Sequence, residues 1–90
     1  MFETLKELIA VIRQRKESSV EESYTKKLLN DKNLSVEKVQ EEVAELIDAI
    51  EKNTNKVHEA ADVLYHLLVL LEADGIKIED VMNELKKRQK

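Results

Sequence analysis

Apolar residues recur every three or four positions along most of the chain, which is the pattern of amphipathic helices. The spacing predicts five helices, over about residues 2–17, 21–29, 36–52, 56–73 and 79–88. Ser18 or Ser19 is a candidate N-cap for the second helix, and Ser35 follows a polar connection over 30–34 as the N-cap of the third. Residues 53–55 are predicted to form a turn, and Asp74-Gly75 a left-handed cap. We therefore expect one all-α domain over residues 1–90, built of four to five helices.

The fourth predicted helix differs from the others because apolar residues cover almost its whole circumference. They are Val63, Leu64, Leu67, Leu68, Val69, Leu70 and Leu71. In a chain of 90 residues the few neighbouring helices cannot cover such a surface. We predict that a second copy does so, and that the helical bundle is completed by a homodimer formed through helix 56–73.

Composition supports the helical fold and excludes several classes of function. The chain has one Gly and no Pro, so it is poor in the residues that turns require. Without Cys it has no disulfide, thiolate metal site or cysteine nucleophile. A net charge of −4 argues against nucleic-acid and anionic-membrane partners, and no apolar run is long enough to span a bilayer. Since the N-terminus lacks the pattern of a secretion signal, a cytoplasmic location is expected.

Two acidic motifs carry the candidate chemistry, Glu41-Glu42-Val43-Ala44-Glu45 and Glu59-Ala60-Ala61-Asp62. Acids three residues apart project side by side from a helix, and the 13 residues between Glu45 and Glu59 allow the two helices to run antiparallel. Converging carboxylates must then protonate, point into water or hold a cation. All-oxygen ligands suit Mg²⁺, with Mn²⁺ as a substitute, and such an ion serves phosphoanhydride cleavage. From spacing alone, a merely solvated acidic face stays open.

Other residues are less specific. His66 shares a helical face with Glu59 and Asp62, so it is expected to orient a carboxylate, contact substrate or pack as a core histidine. His58 is expected to be exposed and Tyr65 to pack. The basic residues would contact a polyphosphate or only increase solubility; they include Arg13, Arg15, Lys16, Lys26, Lys27 and Lys38. The sequence has no Gly-rich phosphate loop.

The acidic motifs match the EExxE…ExxD signature, and the chain thereby resembles the all-α nucleotide pyrophosphohydrolases of the MazG-like superfamily. More narrowly, segments 13–29, 38–50 and 58–71 and the tail GIKIEDVMNELKKR resemble the phosphoribosyl-ATP pyrophosphohydrolase (HisE) family over essentially the whole chain. The sequence departs from that family at 30–33 and at Gln40, where Gly is common, and at Val43, where Ala is common. None of these changes removes an expected ligand.

The resemblance implies a dimeric, Mg²⁺-dependent enzyme that hydrolyses phosphoribosyl-ATP to phosphoribosyl-AMP and pyrophosphate, the second step of histidine biosynthesis. It implies metal ligands at Glu42, Glu45, Glu59 and Asp62, and catalytic carboxylates at Glu41, Glu42 and Glu45. It further implies substrate contacts at Arg15, Lys16, Ser23, Tyr24, Thr25, Lys27, Lys38 and His66. The chain would act without the second enzyme to which this domain is fused in some organisms.

Two alternatives remain at this stage. The first is a MazG-like house-cleaning pyrophosphohydrolase for another nucleotide, although only Phe2, Tyr24 and Tyr65 are available to stack on a base. The second is a non-catalytic helical dimerisation module, which predicts no binding of Mg²⁺ or Mn²⁺.

Overall fold

The chain folds into five helices in a computed structural model that describes residues 1–17 and 23–89. The helices are α1 (Glu3–Glu17), α2 (Tyr24–Asn30), α3 (Lys32–Lys52), α4 (Lys56–Ala73) and α5 (Ile78–Lys87). Neither described range contains a strand, so the all-α prediction is confirmed. Within those ranges, no helix has both the length and the apolar character needed to cross a bilayer.

Helices α3 and α4 form an antiparallel hairpin, and theirs is the most extensive helix contact in the fold. Asn53 ends α3 in the left-handed conformation (φ 58°), and Asn55 adopts the same region (φ 45°) immediately before α4. Asparagine tolerates this conformation better than most residues. The N–H of Thr54 donates to the carbonyl of Ala49 at 2.9 Å and closes the turn. The predicted turn at 53–55 is therefore confirmed, and it aligns the two acidic motifs across the hairpin.

Helix α4 is the centre of the fold because every other helix packs against it. The buried core is formed by side chains of α1, α2 and α4, namely Ile12, Leu28, Leu29, Leu68 and Val69. Leu28 and Val69 are fully buried. At the end of α4, Gly75 takes a positive φ of 78°, and the N–H of Ile76 bonds the carbonyl of Leu71 at 2.9 Å, as the predicted left-handed cap requires.

The start of α3 differs from the prediction. Asp31 is the N-cap, since its carboxylate accepts a hydrogen bond from the backbone N–H of Leu34 at 3.1 Å. The predicted connection over 30–34 and the Ser35 cap are therefore wrong, because Ser35 is fully buried inside α3. Helix α2 is capped by Ser23, whose hydroxyl accepts from the N–H of Lys26 at 3.3 Å. The candidate caps Ser18 and Ser19 lie outside the described residues, as does the predicted start of α2 at Glu21.

Several large apolar side chains of the α3–α4 hairpin are exposed, and we call this set the hairpin face. It consists of Val36, Val43, Ile47 and Ile50 of α3 and Leu64 and Leu67 of α4. The accessible surface of 6945 Å² exceeds the roughly 5400 Å² typical of a folded monomer of this mass. The radius of gyration, 14.2 Å, likewise exceeds the value of about 12 Å typical of 90 residues. The chain alone therefore leaves unusually much surface uncovered.

Candidate metal centre

The structure brings three of the four predicted metal ligands together across the α3–α4 hairpin. One carboxylate oxygen each from Glu42, Glu45 and Glu59 lies within 4.8 Å of the other two. Asp62 stands one turn after Glu59, and its charge acts on both Glu42 and Glu59. The arrangement follows from two helical turns that face each other on either side of a short connection.

These acids are held in an unfavourable electrostatic environment. Partial burial, followed by repulsion from Glu45, raises the pKa of Glu42 above the usual range. The same two causes, in the same order, raise the pKa of Glu59. One oxygen of each group, Glu42 Oε2 and Glu59 Oε2, is buried and has no hydrogen-bond partner among the described residues. Buried polar atoms normally have partners, so these two oxygens lack a counterpart, and a cation would be able to provide one.

The donor set fits a hard divalent cation. Glu42, Glu45 and Glu59 offer oxygens only, and Mg²⁺ and Mn²⁺ prefer such ligands over the nitrogen and sulfur that favour Zn²⁺. A cation bound here would neutralise the mutual repulsion and occupy the two unpartnered oxygens. The residues present therefore suit the metal that their spacing predicts.

A hydrogen-bonded chain joins α2 to the acidic segment of α4. His66, only 6% exposed, donates from Nδ1 to the backbone carbonyl of Asp62 at 2.8 Å. Its Nε2 is then an acceptor, and the hydroxyl of Tyr24 donates to it at 3.0 Å. The Tyr24 ring stacks on Tyr65 with centroids 6.4 Å apart, and the hydroxyl of Tyr65 is hydrogen-bonded to that of Thr25. The start of α2 is thus fixed beside the carboxylates.

Comparison with known proteins decides the family. The family described as phosphoribosyl-ATP pyrophosphohydrolase matches the chain over residues 5–89. The chain belongs to the phosphoribosyl-ATP pyrophosphohydrolase family. It is 46% identical to a phosphoribosyl-ATP pyrophosphatase of Clostridium novyi, over 99% of this chain and 84% of that protein. It is 42% identical to a protein of the same name from Halobacterium salinarum, over 99% of this chain and 100% of the relative.

Part of the family carries this domain within a longer protein. The histidine biosynthesis bifunctional protein HisIE of Pyrococcus furiosus is 47% identical over 96% of this chain. The chain spans only 41% of the length of that relative. The similarity therefore concerns the pyrophosphohydrolase portion that the family match defines.

Some of the predicted substrate residues lie close to the converging acids. Lys38 is bound to Glu41 at 3.4 Å, and this hydrogen bond, more than any other cause, raises the pKa of Lys38. The charge of Lys38 also acts on Tyr24, whose own pKa is raised chiefly by burial. Tyr24 therefore keeps its proton and remains a donor. Ser23 and Thr25 flank it at the start of α2.

Other predicted substrate residues lie elsewhere. The Nζ of Lys16 donates to the carbonyl of Glu72 at 2.9 Å. Glu72 follows Asp62 by ten residues, about 15 Å along a helix, so the structure separates Lys16 from the carboxylates. Arg15 and Lys27 are exposed in the last turns of α1 and α2. Their role in substrate binding stays a prediction.

The candidate site also contains features that the residue pattern did not predict. His58 is exposed, as expected, yet its Nε2 lies 3.3 Å from a carboxylate oxygen of Asp62. The four-residue spacing of these two residues on one helix is the signal that indicates this contact. Tyr65, assigned only to packing, also carries the hydroxyl that holds Thr25. An open cleft extends from the acids toward the turn and is lined by Ala44, Glu45, Asp48, Ala49, Thr54, Asn55 and Glu59.

Proposed function

We propose that this chain hydrolyses phosphoribosyl-ATP to phosphoribosyl-AMP and pyrophosphate, the second step of histidine biosynthesis, and that it requires Mg²⁺, which Mn²⁺ replaces. The observation that carries the proposal is the convergence of three carboxylates with two buried, unpartnered oxygens. Family membership and the names of the relatives support the substrate. The proposal includes a cytoplasmic location and, because the net charge is −4, no nucleic-acid or membrane partner.

In this proposal, side chains at different positions have different roles. Glu42, Glu45, Glu59 and Asp62 would hold Mg²⁺, which supplies positive charge against the charge that develops on the phosphate oxygens. Glu41 is exposed and points to Lys38. In our proposal Glu41 accepts the proton of the attacking water, while the Lys38 ammonium attracts a phosphate group. Tyr24 and His66 fix the start of α2, so that Ser23 and Thr25 face the substrate.

The direct test is the release of pyrophosphate from phosphoribosyl-ATP in the presence of Mg²⁺. Glu42→Gln and Asp62→Asn each remove a charged ligand without changing its shape, and we expect them to abolish turnover while circular dichroism shows an intact fold. Glu51→Gln is the matched control, because Glu51 is an exposed acid of α3 outside the converging carboxylates and outside the cleft that opens from them. A folded wild-type chain that releases no pyrophosphate with either Mg²⁺ or Mn²⁺ would refute the proposal.

The same assay separates the alternatives. Hydrolysis of dUTP or dCTP in preference to phosphoribosyl-ATP would favour a house-cleaning enzyme. A non-catalytic module predicts that divalent metal leaves the thermal midpoint unchanged, whereas a ligand that binds only the native state raises it. At a metal concentration of 100 times Kd, the free energy of unfolding should rise by about 2.7 kcal/mol.

The proposal includes a homodimer formed through helix 56–73, to which α3 adds its part of the hairpin face. The chain exposes about 1500 Å² more than a typical monomer of its mass. Twice this area falls within the range of obligate dimer interfaces. We expect Ile47→Asp and Leu64→Asp to yield monomers in sedimentation analysis. Met82→Asp, which changes a similarly exposed apolar residue on α5, should leave the dimer intact.

A further inference from the structure

The side chain of Tyr65 connects the first turn of α2 to α4. Its hydroxyl is hydrogen-bonded to the hydroxyl of Thr25, which lies 40 positions away in the sequence. Its ring stacks on that of Tyr24 at an interplanar angle of 17° and meets the ring of His66 edge-on, with centroids 5.0 Å apart. The ring also packs against the buried core. The position of the Tyr65 hydroxyl is therefore fixed from several sides.

The direction of this hydrogen bond determines what the Thr25 hydroxyl is able to do. A phenol is a stronger acid than an aliphatic alcohol, so Tyr65 is the better donor and Thr25 the acceptor. A hydroxyl that accepts a hydrogen bond still has its own proton to donate, and the bond it accepts polarises its O–H group. Thr25 is therefore an oriented and strengthened donor. Such a donor suits a negatively charged acceptor, of which a phosphate oxygen is one.

Thr25 also lies close to the candidate metal centre. Tyr65 follows Asp62 by three residues, so the two side chains are neighbours one turn apart on α4. The charge of Glu42 acts on Tyr24, which directly precedes Thr25. Thr25 itself is only partly buried, so a ligand is able to reach its hydroxyl.

We propose that Tyr65 is a positioning residue whose hydroxyl orients Thr25 to donate a hydrogen bond to a phosphate group of the substrate. This inference rests on the proposed function and deepens it, since it assigns a role to a residue of α4 outside the acidic motifs. The competing explanation is that the two hydroxyls only attach α2 to α4 and that neither of them affects the substrate.

The decisive experiment is a double-mutant cycle of Tyr65→Phe and Thr25→Val on the full chain with Mg²⁺. Tyr65→Phe removes a hydroxyl and keeps the ring, and Thr25→Val replaces a hydroxyl by a methyl group of similar size. Release of pyrophosphate from phosphoribosyl-ATP gives kcat and KM for each variant. Calorimetry with pyrophosphate and with phosphoribosyl-AMP gives the affinity for each product, and urea unfolding measures stability separately.

Thr25→Val should raise KM about tenfold or more, since a hydrogen bond to a charged group is lost. Tyr65→Phe should raise KM at least about threefold, because Thr25 keeps its proton but loses the partner that orients it. In both variants kcat should change less than about twofold, because a phosphate oxygen is charged before and during the reaction and uniform binding affects KM alone. In the background of Thr25→Val, Tyr65→Phe should have no further effect on KM.

Two further variants serve as controls. Thr25→Ser keeps the hydroxyl and should restore the dependence of KM on Tyr65, which a loss of packing alone would not do. Thr4→Val makes the Thr-to-Val change at an exposed position of α1 and should behave as the wild type.

The outcomes separate the inference from the proposed function. If the hydroxyls only attach the helices, the two variants would couple in the free energy of unfolding, while KM and both product affinities of the folded variants would equal those of the wild type. That result, or an effect of Tyr65→Phe on KM that persists in Thr25→Val, would overturn the inference and leave the proposed function standing. A folded wild type that releases no pyrophosphate would overturn both. Coupling in the affinity for either product supports the inference and identifies the half of the substrate that Thr25 contacts.

Discussion

The hydrogen bond between Tyr24 and His66 gives the sharpest test of how α2 is attached to α4. Tyr24→Phe removes one oxygen and keeps the aromatic ring that stacks on Tyr65. The change leaves Nε2 of the nearly buried His66 without its donor. A buried acceptor that loses its partner costs about 1–3 kcal/mol.

For Tyr24→Phe, the expected loss of unfolding free energy lies at the low end of that range. Tyr24 is 48% exposed, so water is able to approach the site of the missing hydroxyl. We therefore expect a loss of about 1 kcal/mol in the free energy of unfolding, equivalent to a fall of about 5 °C in Tm for a domain of this size. The loss should be accompanied by an unchanged urea m-value, because the surface exposed on unfolding stays the same.

The assay is urea unfolding of the metal-free chain at one fixed protein concentration, as a double-mutant cycle with His66→Leu. If the hydrogen bond joins these two residues, Tyr24→Phe should cost little in the background of His66→Leu, and the coupling energy should be about 1 kcal/mol. Equal losses in both backgrounds would show that the two side chains do not interact, and the described attachment of α2 would be incorrect.

Three further predictions concern stability. The hydrogen bond from Arg13 holds the pKa of Glu79 below its usual range, so the pair stabilises the fold above the unfolded pKa and this stabilisation is lost as the pH falls through the lowered folded pKa. Glu79→Gln should accordingly lower the urea midpoint at neutral pH and leave it unchanged in strong acid. An equal fall of the midpoint at neutral and at acid pH would contradict this prediction. Ser35→Ala should stabilise the chain by up to about 1 kcal/mol, since it removes a buried hydroxyl without a partner among the described residues; destabilisation would show that the hydroxyl is satisfied. Gly75→Ala should lower the free energy of unfolding by about 1 kcal/mol, because φ is 78° at this position. Asn53→Gly, at φ 58°, is a control that should be nearly neutral. Equal effects of the two substitutions on Tm would contradict the reasoning.

Helix α4 shows how far the sequence determines the fold. Its bounds, Lys56–Ala73, agree with the prediction because strong local signals stand at both ends, Asn-Thr-Asn before it and Asp-Gly after it. The start of α3 was predicted wrongly because Asp31 and Ser35 are both good N-caps, and local chemistry does not choose between them. Burial decides, since Ser35 is fully buried inside the packed helix and Asp31 lies at the surface.

The candidate site was predictable where its geometry is local. Helical spacing and the short turn were enough to predict that Glu42 and Glu45 would face Glu59, because all three lie within one hairpin. The direction of the Lys16 side chain was not predictable, since it depends on how α1 crosses α4 and brings the end of α1 to Glu72. The closeness of His58 to Asp62 depends on side-chain rotamers, which a residue pattern does not specify.

The position of the ligands within a single hairpin has a consequence for folding kinetics. Glu42 and Asp62 are 20 positions apart, and a turn of three residues joins their helices. Contacts at such short separation form early, because little loop-closure entropy opposes them. If a divalent ion binds this hairpin as proposed, it would therefore stabilise the transition state as well as the native chain. We expect it to speed refolding, whereas an ion bound between distant segments would only slow unfolding.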